Sequence, residues 1–417
     1  MMAQSVEPSS PPRTSFQLIG DRNFGVLFWG KIASLMAVWA YTIVVILLTY
    51  DATGSTTWVG VVGAVQLAPQ LVLALASGRL ADTYGPLLQI IAGGMFQGLS
   101  AIGLAVWLHA AGAASGPAAA VPLLIASFVL GCGLALSAPA MQSLVPRIVR
   151  QGELSSAVAL NFLPTALART IGPAVGAVLA ATSGSVASLA VVGAVFVASS
   201  LWFTLIESPR PPASERDPDA RIVSALRYVR GDRGLLALLA GVAAIGAGAE
   251  PAITLAPALA ESVGHASEGG GWALSAFGGG GMLGVIAHRY LSRWLRPVAE
   301  GCAAMVALGA AMAIAAFAGS LVQLSLILAV AGVSMVVGST AFSVAIQERC
   351  RPMMLGRVMG LWLIAFAGVR PVAGLVQGSI SDGWSTEAAL GVTASFMALT
   401  ACWVFAVAHR IRIRTGA

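Results

Sequence analysis

Long apolar segments alternate with short polar turns along almost the whole chain. A helix needs about 20 predominantly apolar residues to cross a bilayer, and the hydropathy pattern predicts twelve such helices. It therefore predicts an all-α polytopic membrane protein. The predicted spans are 24–49, 57–78, 87–109, 118–142, 155–181, 185–206, 234–259, 270–291, 299–318, 321–347, 355–380 and 385–409.

The longest polar stretch, residues 207–233, divides the predicted spans into two sets of six. It begins with prolines and mixed charges, which is typical of a flexible linker. The predicted organisation is a cytoplasmic tail at 1–23, a six-helix lobe at 24–206, a cytoplasmic linker at 207–233, a second six-helix lobe at 234–409, and a cytoplasmic tail at 410–417.

The two predicted lobes are weakly similar to each other. PAMQSLVPRIV near the end of span four resembles VAIQERCRPMM near the end of span ten, and ARTIGPAVG in span five resembles GVRPVAGLV in span eleven. Such pseudo-symmetry is typical of secondary transporters, in which the substrate site lies near the membrane midplane between the lobes.

The composition excludes a soluble protein, because 58% of the 417 residues are hydrophobic and only 10% are charged, against about 25% charged in soluble domains. The net charge of +6 does not indicate a nucleic-acid partner, since the arginines concentrate in alternate turns between spans. By the positive-inside rule, that asymmetry predicts cytoplasmic termini. We expect a multi-pass protein of the cytoplasmic membrane.

No motif indicates a metal, a cofactor or an enzyme. The four cysteines and four histidines lack the spacing of a metal site. The glycine runs at 269–271 and 278–281 are not followed by the Gly-Lys-Ser/Thr of a phosphate-binding loop, and no nucleophile, base and orienting residue group together. We therefore expect no cofactor, and transport driven by an ion gradient or by the gradient of the substrate.

Several short motifs, in order and in the appropriate spans, carry a family resemblance. They are RNFGVLFWGKIAS, LTYDATGS, GRLADTYG, ALSAPAMQSLVP, ALARTIGPAVG, RYVRGDRGLLALL, GRVMGLW and GVRPVAG. Over residues 22–408 the chain resembles the major facilitator superfamily, and within it the exporter branch that includes enterobactin and macrolide efflux proteins. The resemblance implies two lobes that rock about spans two, five, eight and eleven.

The loop after span two resembles the gating motif of that superfamily only in part. Gly78, Asp82 and Gly85 match the motif, whereas its basic positions hold threonine, proline and leucine. Arg79 could replace part of the lost charge. Alternatively, Asp82 is an ordinary solvated carboxylate at a helix end and has no gating role.

By resemblance, Asp82 would latch the cytoplasmic side against the start of span eleven, near Arg357. The corresponding loop of the second half has His288 in place of the aspartate and retains Arg289.

Four charged residues lie well inside predicted spans, away from the span ends: Lys31, Arg169, Arg370 and Glu250. Charges at that depth are costly and face a protein interior or a water-filled cavity. Glu250, or Asp51 at the outer end of span one, is the candidate proton carrier, and the arginines are candidates for a substrate charge. Alternatively, the arginines bind carbonyls at helix breaks, Glu250 pairs with one of them, and Lys31 extends to the membrane boundary.

Uncharged polar residues mark a candidate cavity: Gln66 and Gln70 in span two, Asn161 in span five and Tyr41 in span one. The sequence thus predicts a secondary transporter of a small organic molecule, with a proton-coupled exporter of drug-like or siderophore-like compounds favoured.

The expected partners are the substrate, protons and the lipid bilayer, with no nucleic acid, and the expected state is a monomer. An uptake carrier is the alternative within transport. A non-transporting receptor or scaffold of the same fold is the alternative of another class.

Overall fold

The structure is a computed structural model that describes residues 13–112, 116–150, 153–207, 222–266, 269–351 and 354–415. Within these ranges the chain is α-helical, with one 3₁₀ turn at Pro117–Ala119 and no strand. The helices are α1 (Ser15–Ile19), α2 (Phe24–Thr53), α3 (Thr56–Tyr84), α4 (Pro86–Ala111), α5 (Ala120–Ile148), α6 (Leu154–Phe203), α7 (Ile222–Gly231), α8 (Arg233–Gly248), α9 (Pro251–Thr254), α10 (Ala256–Ser262), α11 (Gly269–Leu291), α12 (Pro297–Ala315), α13 (Leu321–Arg349), α14 (Leu355–Gly368), α15 (Arg370–Gly383) and α16 (Thr386–Thr415).

The helices account for the predicted spans. Ten helical segments of the described ranges are long and apolar enough to cross a membrane. One of them, in α6, is interrupted at Gly184, whose φ of 75° is not helical and is tolerated by glycine without strain. This segment therefore comprises two spans. With α3, of 29 residues, the arrangement is consistent with twelve spans. The prediction of an all-α polytopic membrane protein is confirmed.

Spans seven and eleven are each broken near their middle. Pro251 is the first residue of α9 and Pro371 is the second residue of α15. Proline has no N–H to donate to the preceding turn, so a helix interrupted just before a proline loses little. Glu250 and Arg370 lie directly before these prolines.

The helices pack in two groups. In the first half, α2 packs along α6, α4 along α5 and α6, and α3 along α5. In the second half, α13 packs between α11 and α12, and α16 packs on α12 and α8. The main contacts between the groups join α3 to α15 and α6 to α11, which are spans two, eleven, five and eight. This packing is consistent with two six-helix lobes.

We call the end of the bundle where α2 and α8 begin the terminal end, and the opposite end, where α2 meets α3, the distal end. Close approaches between the lobes lie in the distal half. A Cβ on Gly60 would lie 2.5 Å from the carbonyl oxygen of Gly374, and a Cβ on Gly378 would lie 2.5 Å from that of Thr56. Small residues let membrane helices pack this closely. The structure is therefore closed at its distal end.

A carboxylate reinforces the distal closure. Asp382, in the last turn of α15, accepts hydrogen bonds from the backbone N–H groups of Thr56 (2.8 Å) and Thr57 (2.9 Å) and from the hydroxyls of Ser55 (2.5 Å) and Thr56 (2.7 Å). The first N–H groups of a helix have no partner within it, so a residue of one lobe caps the first turn of a helix in the other.

The predicted tail and linker contain structure beyond the spans. The segment of Arg13 and α1 packs on the terminal end. There the guanidinium of Arg13 donates hydrogen bonds to Glu153 (Nη2–Oε2, 2.7 Å) and to Asp21. These hydrogen bonds hold the pKa of the buried Glu153 down to about 2. Residues 208–221 of the predicted linker lie outside the described ranges, and α7 follows them.

The close approach at Gly60 predicts a steric effect on stability. In Gly60→Ala the added methyl group would collide with the carbonyl of Gly374, and overpacking of this kind costs about 1–3 kcal/mol. Gly63→Ala is the matched control, because no atom lies within 4 Å of its added Cβ and the gain in helix propensity is the same. Thermal unfolding in detergent should show a lower midpoint for Gly60→Ala only. Equal midpoints would contradict the close packing of the lobes.

Candidate substrate and coupling site

A cavity lies at the interface of the two lobes, lined by residues of spans one, two, four, seven and eleven. Its wall is largely apolar, and Trp39 contributes the one aromatic ring of this lining. The polar side chains in the wall are Thr42, Gln66, Gln70, Glu250, Thr254 and Arg370. An apolar cavity with a few convergent polar groups is typical of a small-molecule site.

Glu250 and Arg370 form an ion pair in the wall of this cavity. The Nε atom of Arg370 donates to Oε2 of Glu250 at 2.7 Å. The side chains are 7% exposed for Glu250 and 21% for Arg370. Each residue lies at the break of its span, and the pair joins span seven to span eleven within the second lobe. The two opposite charges neutralise each other in a poorly solvated place.

Arg169 lies near this pair but does not share its carboxylate. Its guanidinium packs over the rings of Trp39 (5.7 Å) and Phe277 (5.4 Å), and Nη2 lies 3.1 Å from the sulfur of Met335. Its charge interacts with those of Glu250 and Arg370. Within the described residues, its buried Nε has no hydrogen-bond partner and it forms no ion pair. Arg169 therefore adds one uncompensated positive charge to the site.

Gln66 and Gln70, the candidate cavity residues of span two, both line the cavity. The amide of Gln66 donates to the hydroxyl of Thr42 at 3.3 Å. The sequence interpretation missed Thr42, although Thr42 and Trp39 are three residues apart and share a face of α2.

Lys31 and Asn161 lie apart from the residues that line the cavity. The buried ammonium of Lys31 donates to the backbone oxygen (2.8 Å) and the side-chain oxygen (2.9 Å) of Asn161. The Asn161 amide in turn donates to Gln142 at 2.5 Å. The interpretation in which Lys31 extends to the membrane boundary does not describe this structure, because the carbonyl and amide oxygens of span five already bind the ammonium.

Tyr41 and Asp51 also lie outside the cavity wall. Tyr41 is fully buried in the first lobe, and its hydroxyl lies 2.9 Å from that of Ser100. Residues two positions apart in a helix are separated by about 200° around its axis. Tyr41 and Trp39 therefore point to opposite sides of α2. Asp51 is exposed in the last turn of α2 at the distal end.

The predicted gate residues lie at the terminal end. Gly78, Arg79 and Asp82 belong to the last turns of α3, and the side chains of Arg79 and Asp82 are outside what the structure describes. Gly85 lies directly before α4 at φ 86°, a backbone conformation that favours glycine. The latch between Asp82 and Arg357 stays a prediction.

In the second half, Arg289 is exposed in the last turn of α11 and Arg357 is half-buried near the sulfur of Met354. His288 pairs with the buried Glu300, with Nδ1 2.8 Å from Oε1. His288, which replaces the aspartate of the superfamily motif, thus pairs with a residue of its own lobe.

The arrangement can bind and exchange charged groups. In the part of the chain that the structure describes, no three His, Cys, Asp or Glu side chains gather as metal ligands would. A buried ion pair and a buried cation at the interface of two helical lobes are typical of secondary transporters. The chain belongs to the transmembrane secretion effector family, which matches residues 14–416 and is part of the major facilitator superfamily. Its members are transporters of small molecules rather than enzymes.

Among known proteins, the chain is 26% identical over 351 residues to the enterobactin exporter EntS of Salmonella typhimurium strain LT2, covering 81% of each chain. It is 26% identical over 238 residues to the multidrug efflux pump Tap of Mycolicibacterium fortuitum, covering 55% of this chain and 56% of that protein.

Solved structures share the fold. An inward-facing, occupied bacterial homolog of the human lysosomal transporter Spinster matches with a TM-score of 0.76 at 14% identity, covering 96% of this chain and 98% of that one. The nucleoside transporter NupG matches with a TM-score of 0.71 at 12% identity, covering 92% and 98%. The prediction of a major facilitator fold is confirmed.

The ion pair predicts non-additive effects on stability. Arg370→Gln leaves the carboxylate of Glu250 buried without its cation, and Glu250→Gln leaves Arg370 unpaired. Breaking a fully buried pair costs about 3–5 kcal/mol, and the partial exposure of Arg370 lowers this to about 1–3 kcal/mol. The double variant should recover most of the loss in thermal unfolding, with a coupling free energy above about 1 kcal/mol. Additive single effects would show that the two charges do not depend on each other.

Proposed function

We propose that this protein exports a small organic molecule by alternating access, driven by proton flow into the cell. The observation that carries the proposal is the ion pair of Glu250 and Arg370, which lies at two helix breaks and lines the cavity between the lobes. Glu250 is the proton carrier in this proposal, and Arg370 controls its charge.

The chemistry of the pair supports a coupling role. A proton on Glu250 removes the negative charge that neutralises Arg370, so protonation frees the arginine. The backbone at both residues is already interrupted by proline, and a broken helix changes its bend at low cost. Rocking of the lobes exposes the cavity first at one end and then at the other, and protonation of Glu250 selects between these two states.

The relatives support export as the direction of transport, and the charge distribution supports the orientation of the chain in the membrane. EntS is an exporter and Tap is an efflux pump. The arginine-rich turns belong to the terminal end, which the positive-inside rule places in the cytoplasm. The distal end then faces outward, and its closure corresponds to an inward-facing state ready to load substrate from the cell. One chain supplies both lobes of the cavity, so we propose a monomer.

The proposal predicts that proton coupling depends on Glu250. Proteoliposomes that contain an internal pH dye should show proton movement when ethidium, rhodamine 6G or 2-naphthoate is applied as a gradient to the wild type. Glu250→Gln, which keeps the shape but cannot ionise, should lower this proton flux at least about tenfold, since it removes the proton site.

Asp51→Asn is the matched comparison, because Asp51 is an exposed carboxylate outside the cavity wall, and it should retain the flux. A flux that survives in Glu250→Gln and disappears in Asp51→Asn would transfer the coupling role to Asp51. Substrate movement without proton movement would indicate facilitated transport. Net movement of substrate and protons in the same direction would favour the uptake alternative.

A further inference from the structure

The charges at the centre of the membrane do not balance. Arg370 and Glu250 cancel within hydrogen-bond distance, 2.7 Å, whereas Arg169 has no carboxylate partner within the described residues. The net charge of the three side chains is +1. A buried arginine is costly in a bilayer, so an anion bound at this position would lower the free energy of the protein.

The contacts that Arg169 makes are weak substitutes for an anion. Two aromatic rings lie over its guanidinium at 5.4 and 5.7 Å, and such contacts contribute about 0.5–2 kcal/mol. The thioether of Met335 is a weak acceptor, and the buried Nε has no acceptor among the residues that the structure describes. A guanidinium binds carboxylate or phosphate oxygens with two parallel hydrogen bonds, and Arg169 retains this capacity.

Trp39 connects Arg169 to the cavity. Its ring lies over the guanidinium, and the same residue belongs to the wall that Glu250 and Arg370 also line. A planar aromatic group in the cavity would therefore lie against Trp39 with its substituent near Arg169. A cationic ligand would meet Arg169 there, and the carboxylate of Glu250 is already neutralised by Arg370.

We propose that the transported molecule is an aromatic organic anion, whose anionic group binds Arg169 while its ring stacks on Trp39. The proposal deepens the function above and rests on it. It assigns the anion to Arg169 rather than to Arg370, because Glu250 already occupies the Nε of Arg370.

The position of Arg169 also relates the ligand to the movement of the lobes. Arg169 belongs to the first lobe, whereas Phe277 and Met335 belong to the second. At the same level the backbones touch, since a Cβ on Gly278 would lie 2.2 Å from the Arg169 carbonyl. An anion that draws the guanidinium into the cavity replaces contacts between the lobes with a contact to the ligand.

Three probes of one shape and different charge test this assignment: 2-naphthoate, 2-naphthamide and 2-naphthylmethylammonium. Isothermal titration of the detergent-purified full chain should show that 2-naphthoate binds at least about tenfold more tightly than the amide, with the ammonium weakest. A hydrogen bond to a charged group corresponds to about tenfold to hundredfold in affinity, so Arg169→Gln should lower the affinity for 2-naphthoate to that for the amide.

Two further variants complete the test. Arg293→Gln removes an arginine from an exposed turn at the terminal end and should leave all three affinities unchanged. Arg169→Lys keeps the charge without the two-pronged geometry and should keep the preference at reduced affinity. If Arg169→Gln does not fold, the ranking of the probes by the wild type and by Arg169→Lys decides.

Equal binding of the three probes, tighter binding of the ammonium, no binding of 2-naphthoate, or an unchanged preference in Arg169→Gln would each overturn the proposal. Its failure is distinguishable from failure of the proposed function. Proton-coupled movement of ethidium without an anion preference would support the proposed transport function and overturn the anion site at Arg169. Binding of 2-naphthoate that depends on Arg169, without movement of any probe, would do the reverse.

Discussion

A charge in the middle of an apolar bundle needs a partner, and much of this structure follows from how that need is met. Glu250 and Arg370 partner each other, which their two proline breaks permit because helix ends leave room for side chains to converge. Arg169 is left with two aromatic faces and a thioether. The imbalance lies at the interface of the lobes, where the proposed change of conformation would alter the surroundings of each charge.

The lobes are held at one end by backbone proximity and by hydrogen bonds to carboxylates, among them Asp382 and Glu261. Glycines at Gly60 and Gly378 let spans two and eleven touch, and Asp382 binds the free N–H groups at the start of α3. Each contact is small and lies on the seam between two otherwise separate groups of helices. The proposed rocking of the lobes requires these contacts to break.

The terminal end is organised differently. The loop after span two has lost the basic residues of the superfamily motif, and in the second half His288 binds Glu300 of its own lobe. Glu300 is buried, with its Oε2 unpartnered within the described residues. In the second half, His288 and Glu300 at the terminal end pair within their own lobe, whereas at the distal end Asp382 binds a helix of the other lobe.

The sequence alone determined the membrane class, the approximate spans and the four intramembrane charges, because apolar length and isolated charge have local physical consequences. It also singled out Gln66 and Gln70 as candidate cavity residues, because they are polar side chains within an apolar span. Only the tertiary structure decided that Glu250 pairs with Arg370 rather than with Arg169, across 120 residues. It likewise turned Tyr41 and Lys31 into the first lobe and joined Asp382 to α3. These outcomes depend on the rotation of each helix about its axis and on which helices are neighbours, and packing of the whole bundle sets both.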